Sequence, residues 1–279
     1  MKKVINIPIK GKHGKPVLTD LLYNENQKPK QIVIFCHGYK GYKDWGAWDL
    51  VAEKFTAKNI FFIKMNFAYN GGTVEQPIDF PDLEAFGNNN FSKELDDIDS
   101  VINWVTNKSS IQTEIDLNNI TLIGHSRGGG IVLIKANEDS RVTKVITWAS
   151  VADFGKRFPK GEQLQGWKDN GVAYIENVRT KQQMPHYFQF YINFKENEKR
   201  LHIQSAVENF KIPYLIIHGE NDETVPVKEA KDLQSWNTNN QLFIVKNANH
   251  SFGNKQPWDS DSLPKDLKIV VQKSIQFIV

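Results

Sequence analysis

Short apolar runs take turns with helical patterns through most of this chain, and that alternation constrains its fold more than any other feature. Gln31-Ile32-Val33-Ile34-Phe35 is one such run, and Ile60 to Met65, Ile120 to Ile123, Val145 to Ala149, Tyr214 to Ile217 and Leu242 to Val245 are others. Runs of this kind mark strands covered on both faces. Between them, helical spacing covers Trp48 to Lys58, Phe91 to Val105, Lys228 to Trp236 and Leu267 to Ile278. Strands that alternate with helices must be joined by right-handed crossovers, so the chain is expected to form a mostly parallel sheet with helices on both faces. Val4 to Ile9 and Val17 to Tyr23 alternate instead, around the turn Gly11-Lys12-His13-Gly14. They predict antiparallel strands at the N-terminal edge.

With 279 residues, 40% of them apolar, the chain can bury one large core, and residues 1–279 read as a single α/β domain carrying an insertion. The net charge of +3 is small, and lysines lie beside acids, as in Lys93-Glu94-Leu95-Asp96-Asp97. No basic block of the kind that tracks a phosphate backbone occurs, which excludes nucleic acid as the expected partner. The single cysteine, Cys36, leaves no intramolecular disulfide or thiolate metal cluster and fits a reducing compartment. The start carries the charge of a signal peptide but no apolar core, since polar Lys10 to Lys15 follow at once. No stretch approaches the length that crosses a bilayer, so the chain reads as a soluble cytoplasmic protein without a membrane partner.

Gly124-His125-Ser126-Arg127-Gly128-Gly129 lies between the apolar run ending at Ile123 and the helical stretch Ile131 to Ala136. A serine flanked by glycines between a strand and a helix is the pattern of a nucleophile elbow. The serine must sit on a tight, strained turn, where side chains two positions before and after it would strike neighbouring backbone. The helix that follows points its first amides at any anion formed beside Ser126.

A serine hydroxyl is a weak nucleophile until a base takes its proton, so the elbow predicts a histidine later in the chain and a carboxylate to orient it. After the run Tyr214 to Ile217 comes His218-Gly219-Glu220-Asn221-Asp222-Glu223-Thr224-Val225-Pro226. After Leu242 to Val245 comes Asn247-Ala248-Asn249-His250-Ser251-Phe252. Both segments start at the carboxyl end of a strand, where open α/β sheets gather their chemistry. Asp222, Glu220 and Glu223 all stand as local candidates for the acid. None of the seven histidines shows His-x-His or His-Glu-x-x-His spacing, so no metal is expected.

Together, the His37-Gly38 turn, the Gly-x-Ser-x-Gly elbow, the His-Gly-x-x-Asp-x-x-Val-Pro segment and the histidine before Ser251-Phe252 resemble the α/β-hydrolase superfamily of serine hydrolases. The likeness covers nearly the whole chain and is nearest to the dienelactone-hydrolase-like and prolyl-oligopeptidase-like esterase branch. It implies the α/β-hydrolase fold, with Ser126 as nucleophile, His250 as general base and then general acid, and Asp222 as the orienting carboxylate. The elbow offers the backbone N–H of Arg127 as one oxyanion donor. The family pattern assigns the second to the N–H of Tyr39, with Gly38 letting the backbone approach. A side-chain change at Tyr39 is then expected to affect binding more than the hole. His37 reads as a structural histidine holding this turn, and His125 lies buried beside the elbow or points at the cap, with no chemistry assigned. No cofactor is implied. Dienelactone hydrolases proper use a cysteine nucleophile, so the serine at position 126 argues against that reaction.

Two stretches break the alternation. Ala68 to Asn90 is a long polar loop with Asn70-Gly71-Gly72 and two prolines, bordering a pocket or lying on the surface. Asp153 to Asn209 holds nine aromatic residues, among them Phe154, Phe158, Trp167 and Phe190, and reads as a cap over the serine. Most of these rings should form the cap's own core and a few should line a pocket. The expected activity is hydrolysis of a small or medium carboxylic ester with an apolar or aromatic acyl group, through an acyl-enzyme on Ser126. Thioester hydrolysis would use the same groups. Peptidase activity in this branch usually accompanies a large N-terminal domain, and only about 30 residues precede the first buried run, far too few for a propeller. A non-catalytic binding protein on the same fold is the reading from another class. Oligomeric state is not legible in the sequence.

Overall fold

The computed structural model describes residues 1–279. Its main sheet has eight strands: β1 (Lys2–Ile9), β2 (Val17–Tyr23), β3 (Lys30–Cys36), β4 (Phe61–Met65), β5 (Ile115–His125), β6 (Val142–Trp148), β9 (Tyr214–Gly219) and β10 (Gln241–Val245). They lie in the order β1-β2-β4-β3-β5-β6-β9-β10. From β4 to β10 every neighbouring pair is parallel, while β2 runs antiparallel to both β1 and β4. The sheet is thus the one the apolar runs predict, with the alternating N-terminal hairpin at its edge.

Side chains of one strand divide between two cores, as a pleat of period two requires. Ile32, Ile34 and Cys36 of β3 point to a core shared with α3 (Phe91–Asn107), α4 (Arg127–Glu138) and α8 (Val227–Trp236). Val33 and Phe35 point to the opposite core, closed by α1 (Trp48–Thr56) and α9 (Lys265–Ile278). β3 lies between β4 and β5, so the chain leaves it in one direction and returns on its other side. The carboxyl ends of β3 and β5 therefore face each other, with Cys36 paired to Gly124. A crevice at such a reversal point is where open α/β sheets bind ligands.

On the β2 and β4 side of the sheet, Lys43 and Lys64 are buried against Asp20, Asp44 and Asp49. These three carboxylates lie close enough together to hold a cation, and the two ammonium groups already occupy that role. No helix is long and apolar enough to cross a membrane.

The structure differs from the sequence reading in the 68–90 stretch. It is not a plain polar loop: α2 (Leu83–Gly87) forms within it, capped by the Asp82 carboxylate, which accepts from the Ala85 N–H at 2.8 Å. Phe80 and Phe86 pack with Tyr42 and Met184 into a third small core. Two aromatic residues among many polar ones suffice to anchor the segment, and a count of polar residues hides them. Helix α3 starts at Phe91, as its spacing predicts, with Asn90 as its cap accepting from Lys93 N–H at 3.0 Å. That leaves Glu94 facing inward, 3% exposed.

Between β6 and β9 the chain builds α5 (Gly161–Asn170), the antiparallel pair β7 (Val172–Glu176) and β8 (Gln183–Tyr187), α6 (Gln189–Glu196) and α7 (Ile203–Glu208). Phe158, Trp167 and Phe194 form a ring-on-ring cluster here, and Phe154 stacks on Phe91 of α3 at 3.9 Å.

Candidate active site

Ser126 occupies the junction of β5 and α4 with φ 56° and ψ −120°. A serine in that region stores about 1–3 kcal/mol of strain and persists only where its surroundings fix it. They do so here: Ser126 N–H donates to the Trp148 carbonyl at 2.9 Å, and its own carbonyl accepts from Gly129 and Val151 N–H at 3.0 and 3.3 Å. A Cβ on Gly124 would lie 2.3 Å from the Gly128 carbonyl oxygen, and one on Gly128 would lie 2.4 Å from that of His37. Both contacts are impossible for a side chain, which is the collision the elbow pattern anticipates.

Three side chains from three strand ends meet in one hydrogen-bonded run. His250, in the loop after β10, accepts from the Ser126 hydroxyl at its Nε2, 2.9 Å away. Its Nδ1–H donates to Asp222 Oδ2 at 2.7 Å. Asp222 follows β9, and its other oxygen accepts from Thr224 and Val225 N–H at 2.9 and 2.8 Å. Of the rival acids, Glu220 turns away to accept from Asn247 N–H, and only Asp222 contacts His250. Burial opposes the charged form of Asp222, but hydrogen bonds from His218 and His250 outweigh it and hold the carboxyl well below the usual carboxylate range.

Sequence reasoning gave His218 no role beyond its place in a motif. It is fully buried, and its Nε2–H lies 2.8 Å from the Val225 carbonyl and 3.2 Å from Asp222 Oδ2, bracing the acid from behind. His125 is buried beside the elbow and donates from Nε2 to the His250 carbonyl at 3.1 Å, so it steadies the loop that carries the base. Burial, with His250 nearby, pushes its pKa down to about 3. His37 donates from Nδ1 to the Gly38 carbonyl at 2.8 Å and accepts from Phe67 N–H at 3.3 Å. Burial pushes it down to about 4, so the ring that holds this turn is neutral.

The turn after β3 runs against the elbow. A Cβ on Gly38 would lie 2.9 Å from Ser126 Cβ, so only glycine lets the two backbones come this close. The next residue, Tyr39, has a backbone N–H with no acceptor inside the protein. Arg127 is the first residue of α4, where a helix leaves its N–H free. Its guanidinium meets the buried Glu94 carboxylate, Nε to Oε2 at 3.1 Å and Nη2 to Oε1 at 2.8 Å. Phe91 and Phe190 flank it, with ring centres 4.7 and 5.0 Å from Cζ.

Ser126 lies between two cavities of opposite character. One, of about 300 Å³, runs beneath the segment between β6 and β9 and is walled mainly by Phe91, Phe154, Phe158, Trp167 and Phe190. The other, of about 610 Å³, is polar and borders His250, with Lys40, Asn221, Glu223 and Asn249 on its walls.

A mostly parallel sheet with a serine elbow at its reversal point, and an acid and a histidine after two later strands, is the α/β-hydrolase fold. The chain belongs to the BD-FAE family, whose model matches residues 20–237. Among solved structures it is similar to Est1E from Butyrivibrio proteoclasticus, at 17% identity over 98% of this chain and 97% of that one, with a TM-score of 0.73. A putative hydrolase from Agrobacterium vitis is similar at 14% identity, with 100% and 99% covered and a TM-score of 0.72. A dienelactone hydrolase from Anabaena variabilis is similar at 16% identity, with 99% and 96% covered and a TM-score of 0.64. At these identities the likeness is one of fold. No curated protein matches the chain.

Proposed function

We propose that this protein is a serine esterase that hydrolyses carboxylic esters with an aromatic or apolar acyl group, through an acyl-enzyme on Ser126. The observation that carries this reading is the unbroken run of hydrogen bonds from Ser126 through His250 to Asp222. In it, Ser126 Oγ attacks the ester carbonyl as its proton passes to His250 Nε2, and Asp222 stabilises the imidazolium through Nδ1–H. The oxyanion of the tetrahedral intermediate takes the N–H groups of Tyr39 and Arg127. His250 then gives its proton to the departing alcohol. A water, deprotonated by the same nitrogen, attacks the acyl-enzyme, and the acid leaves as Ser126 regains its proton.

Residues 153–209 act in this account as a cap inserted in a single-domain chain, enclosing the aromatic cavity for the acyl group. The polar cleft on the other side of Ser126 takes the alcohol. Est1E binds ferulic acid, an aromatic carboxylic acid, which supports an aromatic acyl group here. A series of 4-nitrophenyl esters tests the assignment. Benzoyl, cinnamoyl and butyryl esters are expected to exceed the acetyl ester in kcat/KM by about tenfold, since burying a few methylene equivalents contributes about 1–3 kcal/mol. A flat response across the series contradicts the acyl cavity.

A further inference from the structure

Both residues whose amides flank the proposed oxyanion site carry side chains that reach the same patch of the covering segment. The Tyr39 hydroxyl lies 2.7 Å from His186 Nε2, and the Arg127 guanidinium rests on Phe190. His186 is on β8 and Phe190 at the start of α6, and their rings are 6.3 Å apart. Other polar contacts tie this segment to the body at α2, α3 and α8: Tyr187 to Glu84, Asn193 to Ser92 and Arg157 to Glu229. None of these touches the turn after β3. The Tyr39–His186 pair is the side-chain hydrogen bond that joins Tyr39 itself to the covering segment; three residues on, the Tyr42 hydroxyl accepts from Arg179 Nη2 at 3.5 Å.

We infer that His186 is a positioning residue, which holds the Tyr39 turn, and with it one oxyanion amide, in place through the hydrogen bond to the Tyr39 hydroxyl. The inference rests on the serine esterase reading above. Burial pushes the His186 ring down to about 4, helped by the nearby Arg127 and Lys40 charges, so the ring is neutral. Burial likewise pushes the Tyr39 hydroxyl up to about 12, so it keeps its proton and the bond joins two neutral groups. On the body side the turn is held at the Gly38 carbonyl, which accepts from His37 Nδ1 and Gly41 N–H at 2.8 and 3.1 Å. The Tyr39 backbone N–H is unbonded. The hydroxyl is the residue's one polar anchor. This changes the expectation for Tyr39, whose side chain now bears on the hole and not on binding alone.

An acetyl ester separates positioning from lining, because its single methyl group gains least from the residues that wall the aromatic cavity. With 4-nitrophenyl acetate, His186→Leu and Tyr39→Phe are each expected to lower kcat by about tenfold with KM within about twofold. That is less than the ~10²–10³ lost when an oxyanion donor is removed outright, because here it is only loosened. The double variant should be no worse than either single one, since both break the same bond. His186→Gln, which keeps a hydrogen-bonding group at similar reach, should recover most of the loss. Unchanged kcat on the acetate in His186→Leu overturns the inference, as does a loss in His186→Gln equal to that in His186→Leu or fully multiplicative effects in the double variant. A wild-type protein that turns over no ester at all sinks the esterase reading instead, and the two failures are told apart by that control.

Discussion

Asp222 illustrates how much one residue depends on its neighbours. It receives hydrogen bonds from His250, from the Thr224 and Val225 amides, and from His218 behind it. Asp222→Asn should keep the fold, since the amide oxygen can still accept from the two backbone groups. It presents the wrong group to His250 Nδ1 and so favours the tautomer whose Nε2 carries the proton. That imidazole cannot accept from Ser126, and kcat should fall by roughly 10³–10⁴ with little change in thermal midpoint. A loss under tenfold would mean that Asp222 does not orient the base. At this scale the structure brings together the three side chains that the sequence singled out, Ser126, Asp222 and His250. Glu94 and His186 were invisible. Their partners Arg127 and Tyr39 lie 33 and 147 positions away, and no local pattern records such a contact.

The elements follow the same logic. Apolar runs announced six strands of the parallel sheet because strands buried on both faces must be apolar throughout. The N-terminal hairpin showed itself by alternation. Short elements were harder to see. α2 has five residues, and β7 and β8 are five-residue strands whose side chains are partly exposed, so they carry little periodic signal. They are held by contacts made elsewhere, such as Trp167 Nε1–H donating to the His186 carbonyl at 2.7 Å. The start of α3 was legible: the helical spacing begins at Phe91, where the helix begins, and the Asn90 side chain caps it by accepting from the Lys93 amide.

The whole molecule buries neutral histidines, and this makes its stability depend on pH. An imidazole whose pKa is lowered on folding binds a proton more readily in the unfolded chain. Its contribution is therefore complete above the unfolded value near 6.5 and is lost as pH falls toward the folded value. For His125 the folded value is about 3. Between pH 7 and pH 5 it should cost about 2 kcal/mol of unfolding free energy. His125→Asn, which keeps a donor for the His250 carbonyl, should remove that share. Urea titrations at the two pH values should show the wild type losing about 2 kcal/mol more than the variant. Equal losses would mean that His125 is not buried in its neutral form.

All these parts converge on a single claim, that Ser126 is an activated nucleophile beside a formed oxyanion hole. Labelling with a small fluorophosphonate tests it most directly, read by intact mass and peptide mapping with Ser126→Ala alongside, because the probe needs no knowledge of the natural ester. One adduct per chain is expected, on Ser126, and none in the folded Ser126→Ala variant. A folded wild-type protein that takes up no label, or takes it up at another residue, contradicts it.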